Sequence, residues 1–321
     1  MIIRKAPEVF EKTGKGVLVQ RENPLINNQG SSRKGLFITD FDGTLLGSDG
    51  TIAQKDLDAL ESLSRHGVKT AIATGRSLHS FINSPGADLA VDYIIFSTGA
   101  GVATQPGHEL LYQLNLSSEM VAQTLDIMHN SALDFMLHHP IPDNHIFLYR
   151  RVNLDNTDFE SRIERHNEFG QPLENIHLNG FGEASQFIAV VPPEKSRAVL
   201  EAVRNELPEL SIVLATSPLD HESGWIELFH PDVSKGKTAA WLASKLDIDS
   251  GDTMAIGNDY NDLDLLEWAA HSFVVDNAPD DMKTRFETVS SNNNGGVAEA
   301  IRCWLDTLTG RSRDSAGHPG S

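Results

Sequence analysis

Asp40-Phe-Asp-Gly-Thr44 places two carboxylates two positions apart, directly after the apolar run Leu36-Phe-Ile-Thr39 and directly before a glycine. Such a pair can divide labour at phosphorus: Asp40 attacks, while Asp42 serves as acid and base for the leaving group and for water. A solvated Asp-Gly turn would look the same, so the pentapeptide alone leaves both readings open. Three further segments raise the same question. Thr74-Gly-Arg76 ends the apolar run Val68-Lys-Thr-Ala-Ile-Ala73 and offers a hydroxyl and a guanidinium suited to phosphate oxygens. Lys235 stands before Gly236 at the start of a helical pattern, where an ammonium and a positive dipole end together suit an anionic transition state. Gly257-Asn-Asp-Tyr-Asn-Asp262 follows Thr253-Met-Ala-Ile256 and supplies the amide and carboxylate oxygens that a hard cation prefers.

Each segment has a bland alternative, as a strand-to-helix turn, a surface lysine or an Asn/Asp-rich loop. Position sharpens the choice. The spacing predicts a strand at 36–39, a helix bearing Leu57, Leu60 and Leu63, a strand at 68–73 and another at Tyr93-Ile-Ile-Phe96. The pattern resumes with helix 236–246, strand 253–256, helix 262–270, strand Phe273-Val-Val275 and a final helix near 296–308. Alternating strands and helices predict a doubly wound parallel α/β sheet, in which ligands gather at the carboxyl ends of the strands. All four segments fall there or at the start of the next helix.

The interval 102–224 interrupts the alternation with strand-like stretches around 109–112, 135–137, 145–149 and 187–191, and with helices near 118–130 and 195–206. It is expected to form an inserted α+β cap domain over a core made of 35–101 and 225–309. Residues 1–34 and 310–321 have linker composition and are expected to be flexible. His138, His139 and His145, with Arg150 and Arg151, cluster in the cap; their spacing matches no zinc pattern, which favours surface or substrate-facing roles. The four tryptophans read as core or interface residues, and Cys303 as inert in a helix.

The charge balance limits the partners. Twenty-six Lys and Arg against 45 Asp and Glu leave a net charge of -19, which repels nucleic acid and anionic membranes over most of the surface. A lone cysteine permits no intrachain disulfide, and no apolar stretch suits a signal core or a bilayer span, so a cytoplasmic location is expected. The sequence does not indicate an oligomeric state.

Taken together, Asp40-Phe-Asp-Gly-Thr44, Ala73-Thr-Gly-Arg76, Val233-Ser-Lys-Gly236 and Gly257-Asn-Asp-Tyr-Asn-Asp262 resemble the Cof-type branch of the haloacid dehalogenase (HAD) superfamily over residues 35–308. The resemblance implies a phosphatase that uses Mg2+ and acts on a small phosphorylated metabolite, sugar-like in character. It further implies Asp40 as nucleophile and metal ligand, Asp42 as acid and base that also coordinates through its carbonyl, and Thr74 and Lys235 as phosphate binders. Ser97-Thr-Gly-Ala100 resembles the branch's substrate loop, with Thr98 where Asn is common; Gly43, Gly75, Arg76, Thr98, Gly99 and Asn261 are the expected substrate contacts. The fourth motif usually begins Gly-Asp, but here the position is Asn258, so Asn258, Asp259 and Asp262 all stand as candidate metal ligands beside Asp40 and Asp42. A sugar phosphomutase or phosphotransferase would use the same core residues. A phosphate-binding regulatory module with reduced turnover is the further alternative that Asn258 leaves open.

Overall fold

A computed structural model describes residues 34–173, 181–217, 219–220 and 222–309; the expected flexible ends lie outside the described residues, save Lys34. The chain begins with β1 (Gly35–Asp40), α1 (Gln54–Arg65), β2 (Val68–Ala73), α2 (Leu78–Ile82), β3 (Tyr93–Phe96), β4 (Gly101–Thr104) and β5 (Leu110–Gln113). There follow α3 (Ser118–Asn130), β6 (Asp134–His138), β7 (Phe147–Arg150), α4 (Thr157–Arg165), β8 (Gly170–Pro172), β9 (Gln186–Val191), α5 (Ser196–Glu206), β10 (Ser211–Thr216) and β11 (Gly224–Phe229). The last stretch holds α6 (Lys235–Lys245), β12 (Thr253–Gly257), α7 (Leu263–Trp268), β13 (His271–Val275), α8 (Asp280–Lys283), β14 (Glu287–Val289) and α9 (Gly296–Thr309).

Eight strands form one sheet in the order β14-β13-β12-β1-β2-β3-β4-β5, parallel from β14 through β3. β1 is buried along its whole length because both faces are covered, as parallel strands require. Leu36 and Ile38 pack with Ala239, Leu242, Leu265 and Leu266 from α6 and α7. Phe37 turns the other way, into a layer with Leu60 and Leu63 of α1 and Ile301 and Trp304 of α9. This two-sided packing fixes the height at which the carboxyl end of β1 emerges.

A second, mainly antiparallel sheet has the order β10-β11-β9-β6-β7-β8. Its side chains alternate between two clusters. Phe187, Ala189 and Val191 meet Val121 and Leu125 of α3 and Leu200 and Val203 of α5, while Ile188, Val190, Met136 and Trp225 meet Phe159 and Ile163 of α4.

Sheet membership moves the expected limits of the insertion at both ends. β4 and β5 continue the first sheet antiparallel to β3, so residues 102–113 do not belong with the second sheet. β11, expected with the core from residue 225, lies inside the second sheet between β10 and β9. Apolar alternation identifies a strand but carries no information about which edge it joins, and both errors have that origin.

Candidate functional site

β1 lies where the order of the parallel sheet reverses, with β2 and β3 to one side and β12 and β13 to the other. Crevices form at such a point beyond the carboxyl ends of the strands. Asp40 ends β1, Thr74 follows β2, Thr98 follows β3, Asn258 follows β12, and Lys235 opens α6. All four sequence segments therefore meet at one edge.

Lys235 is the centre of the arrangement. Its ammonium is wholly buried and donates to Asp40 Oδ1 at 2.7 Å and to Asp262 Oδ1 at 2.6 Å. Ser234 caps α6 by accepting from the Lys237 N–H, and Asp264 accepts from the Gly236 N–H at 2.7 Å, which fixes the helix start that carries the lysine. Gly236 has no room for a side chain: a Cβ would lie 2.5 Å from the Asp264 carbonyl. Two buried carboxylates share one ammonium, so a net negative charge remains. Burial and the neighbouring Asp262 carboxylate therefore push Asp40 up to about 7, against the opposing pull of Lys235. The same two carboxylates outweigh the burial cost of the ammonium and raise the pKa of Lys235, which stays charged.

Asn258 closes the other side of Asp40. Seated nitrogen-inward, its amide donates to the Asp42 carbonyl at 3.0 Å, to Asp40 Oδ2 at 3.1 Å and to Thr44 Oγ1 at 3.0 Å. Turned over, the amide oxygen takes that place and accepts from Thr44 Oγ1 at 3.0 Å. It then faces the Asp42 carbonyl and Asp40 Oδ2 at those same separations of 3.0 and 3.1 Å. Adjacent ligands of an octahedral magnesium ion, bound at about 2.1 Å, lie roughly 3 Å apart. Asp40 Oδ2, the Asp42 carbonyl and Asn258 Oδ1 thus fit Mg2+, with one carboxylate fewer than a Gly-Asp motif would give. Gly43, at φ +79°, permits the approach, since a Cβ there would lie 2.7 Å from the Asn258 amide.

The other two candidate ligands are engaged elsewhere. Asp262 is fully buried; beyond Lys235, its Oδ2 accepts from the backbone N–H of Asn258 at 2.9 Å and of Asp259 at 3.2 Å. It shapes the loop and holds the lysine, so both of its oxygens are engaged. Asp259 caps its own turn through the Tyr260 N–H at 2.7 Å and accepts from the Thr216 N–H of β10 at 3.3 Å, which points it at the second sheet.

Asp42 is brought to the site but not left free. Arg76 grips it with both arms, Nε to Oδ2 at 2.8 Å and Nη2 to Oδ1 at 2.6 Å, and lies 5.3 Å from the Phe41 ring centroid. The guanidinium expected on phosphate is thus paired with the expected acid. Thr74 is buried and its hydroxyl accepts from the Arg76 N–H at 3.1 Å, while Gly75 leaves the space above open, with Thr98 Oγ1 at 3.7 Å from a notional Cβ. Gly99, at φ +103°, passes so close to α6 that a Cβ would meet the Ser234 carbonyl at 2.4 Å, and its carbonyl accepts from Thr238 at 2.7 Å. Asn261 is half-buried in the turn between β12 and α7.

Sequence reasoning missed the residues that reach the site from the second sheet. Thr98 donates to Glu227 Oε2 at 3.0 Å, and Asn144 donates to Ser97 at 2.7 Å; both contacts are buried. Glu227 did leave a signal, as a lone carboxylate within the apolar strand Gly-Trp-Ile-Glu-Leu-Phe229. Burial raises its pKa against the pull of the Thr98 hydroxyl, Arg162 and Lys235. His138 is buried rather than superficial, and His145 stacks on His79 at 4.2 Å, so the imidazole cluster is partly core packing. Among the described residues, no group of three or more His, Cys, Asp and Glu could hold a metal ion, and no helix is long and apolar enough to cross a membrane.

A parallel sheet with an inserted second sheet, and carboxylates, ammonium and hydroxyls gathered at its switch point, defines a phosphoryl-transfer type of α/β enzyme. Residues 37–301 match the haloacid dehalogenase-like hydrolase family, and the chain belongs to it. YxeH of Bacillus subtilis (strain 168) is 26% identical over 276 residues, covering 83% of this chain and 96% of its own. Among solved structures, BT1666 of Bacteroides thetaiotaomicron, analysed among HAD phosphatases, shares the fold at a TM-score of 0.70 and 18% identity, over 88% of this chain and 99% of its own. BT4131, described as a HAD subclass IIB sugar phosphatase, superposes with a TM-score of 0.66 at 19% identity, over 84% of this chain and 99% of its own.

Proposed function

We propose that this chain is a magnesium-dependent phosphatase that hydrolyses a small phosphorylated metabolite, a sugar phosphate, through an aspartyl-phosphate on Asp40. The observation that carries the reading is the fixing of Asp40 from both sides. Oδ1 is held by Lys235, and Oδ2 lies in an oxygen set fit for Mg2+. Asp40, the Asp42 carbonyl and Asn258 would hold the ion, which supplies charge neutralisation to the incoming phosphate. The description of BT4131 as a sugar phosphatase supports the substrate class. The lone cysteine supports a cytoplasmic location.

Asp40 attacks phosphorus; its new oxygen–phosphorus bond forms as the bond to the leaving oxygen breaks. Asp42, which takes up a proton from solvent once its carboxylate has left Arg76, gives that proton to the leaving oxygen. The pair is partly solvated, its side chains 36% and 29% exposed, so an arriving phosphate can compete for the guanidinium at small cost. Asp42 then takes a proton from water as the water attacks the same phosphorus, and the bond to Asp40 breaks to release inorganic phosphate. Lys235 offsets the charge on Asp40 throughout, and the Thr74 hydroxyl and Arg76 hold phosphate oxygens.

The test is a screen of phosphorylated sugars, nucleotides and cofactors for phosphate release with and without magnesium. Magnesium-dependent release that is highest for sugar phosphates and lost in Asp40→Asn is expected. Release that survives chelation or persists in that variant would refute the reading.

A further inference from the structure

Arg162 projects from α4 over the core-facing side of the second sheet. Its guanidinium lies 4.1 Å from the centroid of the Trp225 ring, and its Nε is 3.1 Å from Met136 Sδ, a weak acceptor. The two carboxylates whose charge reaches it are held by other donors. Asp158 accepts from Ser217 and Trp225, each at 2.7 Å, and Glu227 accepts from Thr98 at 3.0 Å. A half-buried guanidinium whose one hydrogen-bond partner among the described residues is a thioether keeps donors for an anion. In the core the two site cations are committed, Lys235 to Asp40 and Asp262, and Arg76 to Asp42.

A row of polar side chains accompanies it. His138, on β6, pairs in register with Gln186 on β9, two residues along from the Met136, Ile188 and Glu227 row. His138 Nδ1 bonds to the Asn144 carbonyl, and the Asn144 amide reaches Ser97 beside the catalytic loop. Each of these side chains is at least nine-tenths buried, yet His138 Nε2, Gln186 Oε1 and Asn144 Oδ1 have no partner among the described residues. Unpaired buried polar atoms are costly, so a set gathered on one face points to a ligand. Two amide oxygens ask for hydroxyl donors, and the guanidinium fork asks for a planar anion. Glu227 and Asp158 nearby favour a singly charged acid over a second phosphate.

We infer that Arg162, with His138, Gln186 and Asn144, seats a polyhydroxylated leaving group that bears a carboxylate, so the preferred substrates are phosphate monoesters of sugar acids. This rests on reading the Asp40 site as a phosphatase. The experiment compares kcat/KM for 6-phosphogluconate and sorbitol 6-phosphate, which differ at the carboxylate, in the full-length wild type and in Arg162→Gln. The wild type is expected to favour the acid by about tenfold to a hundredfold, the range for a charge-assisted pair, and the variant to bring the ratio near one, chiefly through KM. Arg162→Lys, which keeps charge and packing but not the fork, serves if the glutamine variant does not fold and is expected to lose most of the preference. A wild-type ratio near one, or a ratio unchanged in the variants, overturns the assignment. Magnesium-dependent turnover of p-nitrophenyl phosphate reports separately on the phosphatase reading. If no ester is turned over, calorimetry with gluconate still decides the seat: binding by wild type and loss in the variants supports it, and absence of binding by wild type overturns it.

Discussion

The edge of the parallel sheet and the facing side of the second sheet are both rich in buried polar groups, but they are satisfied differently. At the sheet edge nearly every charge has a partner within the chain: Lys235 holds Asp40 and Asp262, Arg76 holds Asp42, and Asn258 bridges Asp40, Asp42 and Thr44. Across from it, Arg162, His138, Gln186 and Asn144 keep donors or acceptors without partners among the described residues. The chemistry common to any phosphate ester is built in advance, while the groups facing the leaving group wait for it. Preorganisation belongs where every substrate is alike, and unmet bonding capacity where substrates differ.

The largest effect should come from Asp40→Asn. Phosphate release is expected to fall by about 10³-fold or more, since an amide cannot accept the phosphoryl group. Thermal stability should be retained or raised, because one of two carboxylates competing for Lys235 disappears. A marked loss of stability would show that Asp40 is a structural residue first. Lys235→Met should do the reverse to the fold, leaving two buried carboxylates uncompensated at a cost of about 3–5 kcal/mol in urea unfolding at pH 7.

On the second sheet, acid should act through imidazoles. Burial, with Arg162 nearby, lowers His138 to about 3 and His166 to about 4, so both are neutral in the folded chain. The unfolded chain takes up these protons near pH 6.5. The stability they contribute is therefore full above that pH and is lost as pH falls through 6.5 toward the folded values. His138→Gln is expected to flatten the decline between pH 7.5 and 5; an unchanged slope would place the acid sensitivity elsewhere.

The smallest effect concerns the metal loop. Asn258→Asp restores a carboxylate at the oxygen set and should lower the magnesium needed for half-maximal activity by about tenfold. Asp259→Asn should change it little, because Asp259 is turned to Tyr260 and Thr216. The opposite ranking would mean that the loop shifts by one residue when the ion binds.

The same contrast explains what could be read from the sequence. Asp40, Thr74, Lys235 and Asn258 sit at strand ends or a helix start, and the β-α alternation that creates those ends is written in apolar spacing. Partnership was not legible. Asp262 reads as a metal ligand until the fold brings Lys235 against it, and Arg76 reads as a phosphate binder until Asp42 is seen in its grasp. The facing sheet was the least legible part. α4, with five charged residues in Ser-Arg-Ile-Glu-Arg165 and its first turn, does not read as packed, and Arg162 meets Met136 and Trp225 only through strand pairings 26 and 63 residues away. The β4–β5 hairpin was legible in part as strands but not as part of the first sheet, because its edge is chosen by tertiary pairing.

A covalent phosphoryl group on Asp40 can be looked for directly. In Asp42→Asn, with p-nitrophenyl phosphate as an ester that leaves without proton donation, the first step proceeds while hydrolysis is slowed. After acid quench and peptide mass analysis, phosphate is predicted on Asp40 in the presence of magnesium. Phosphate on another residue, or turnover with no labelled residue under conditions where the intermediate should accumulate, would contradict it.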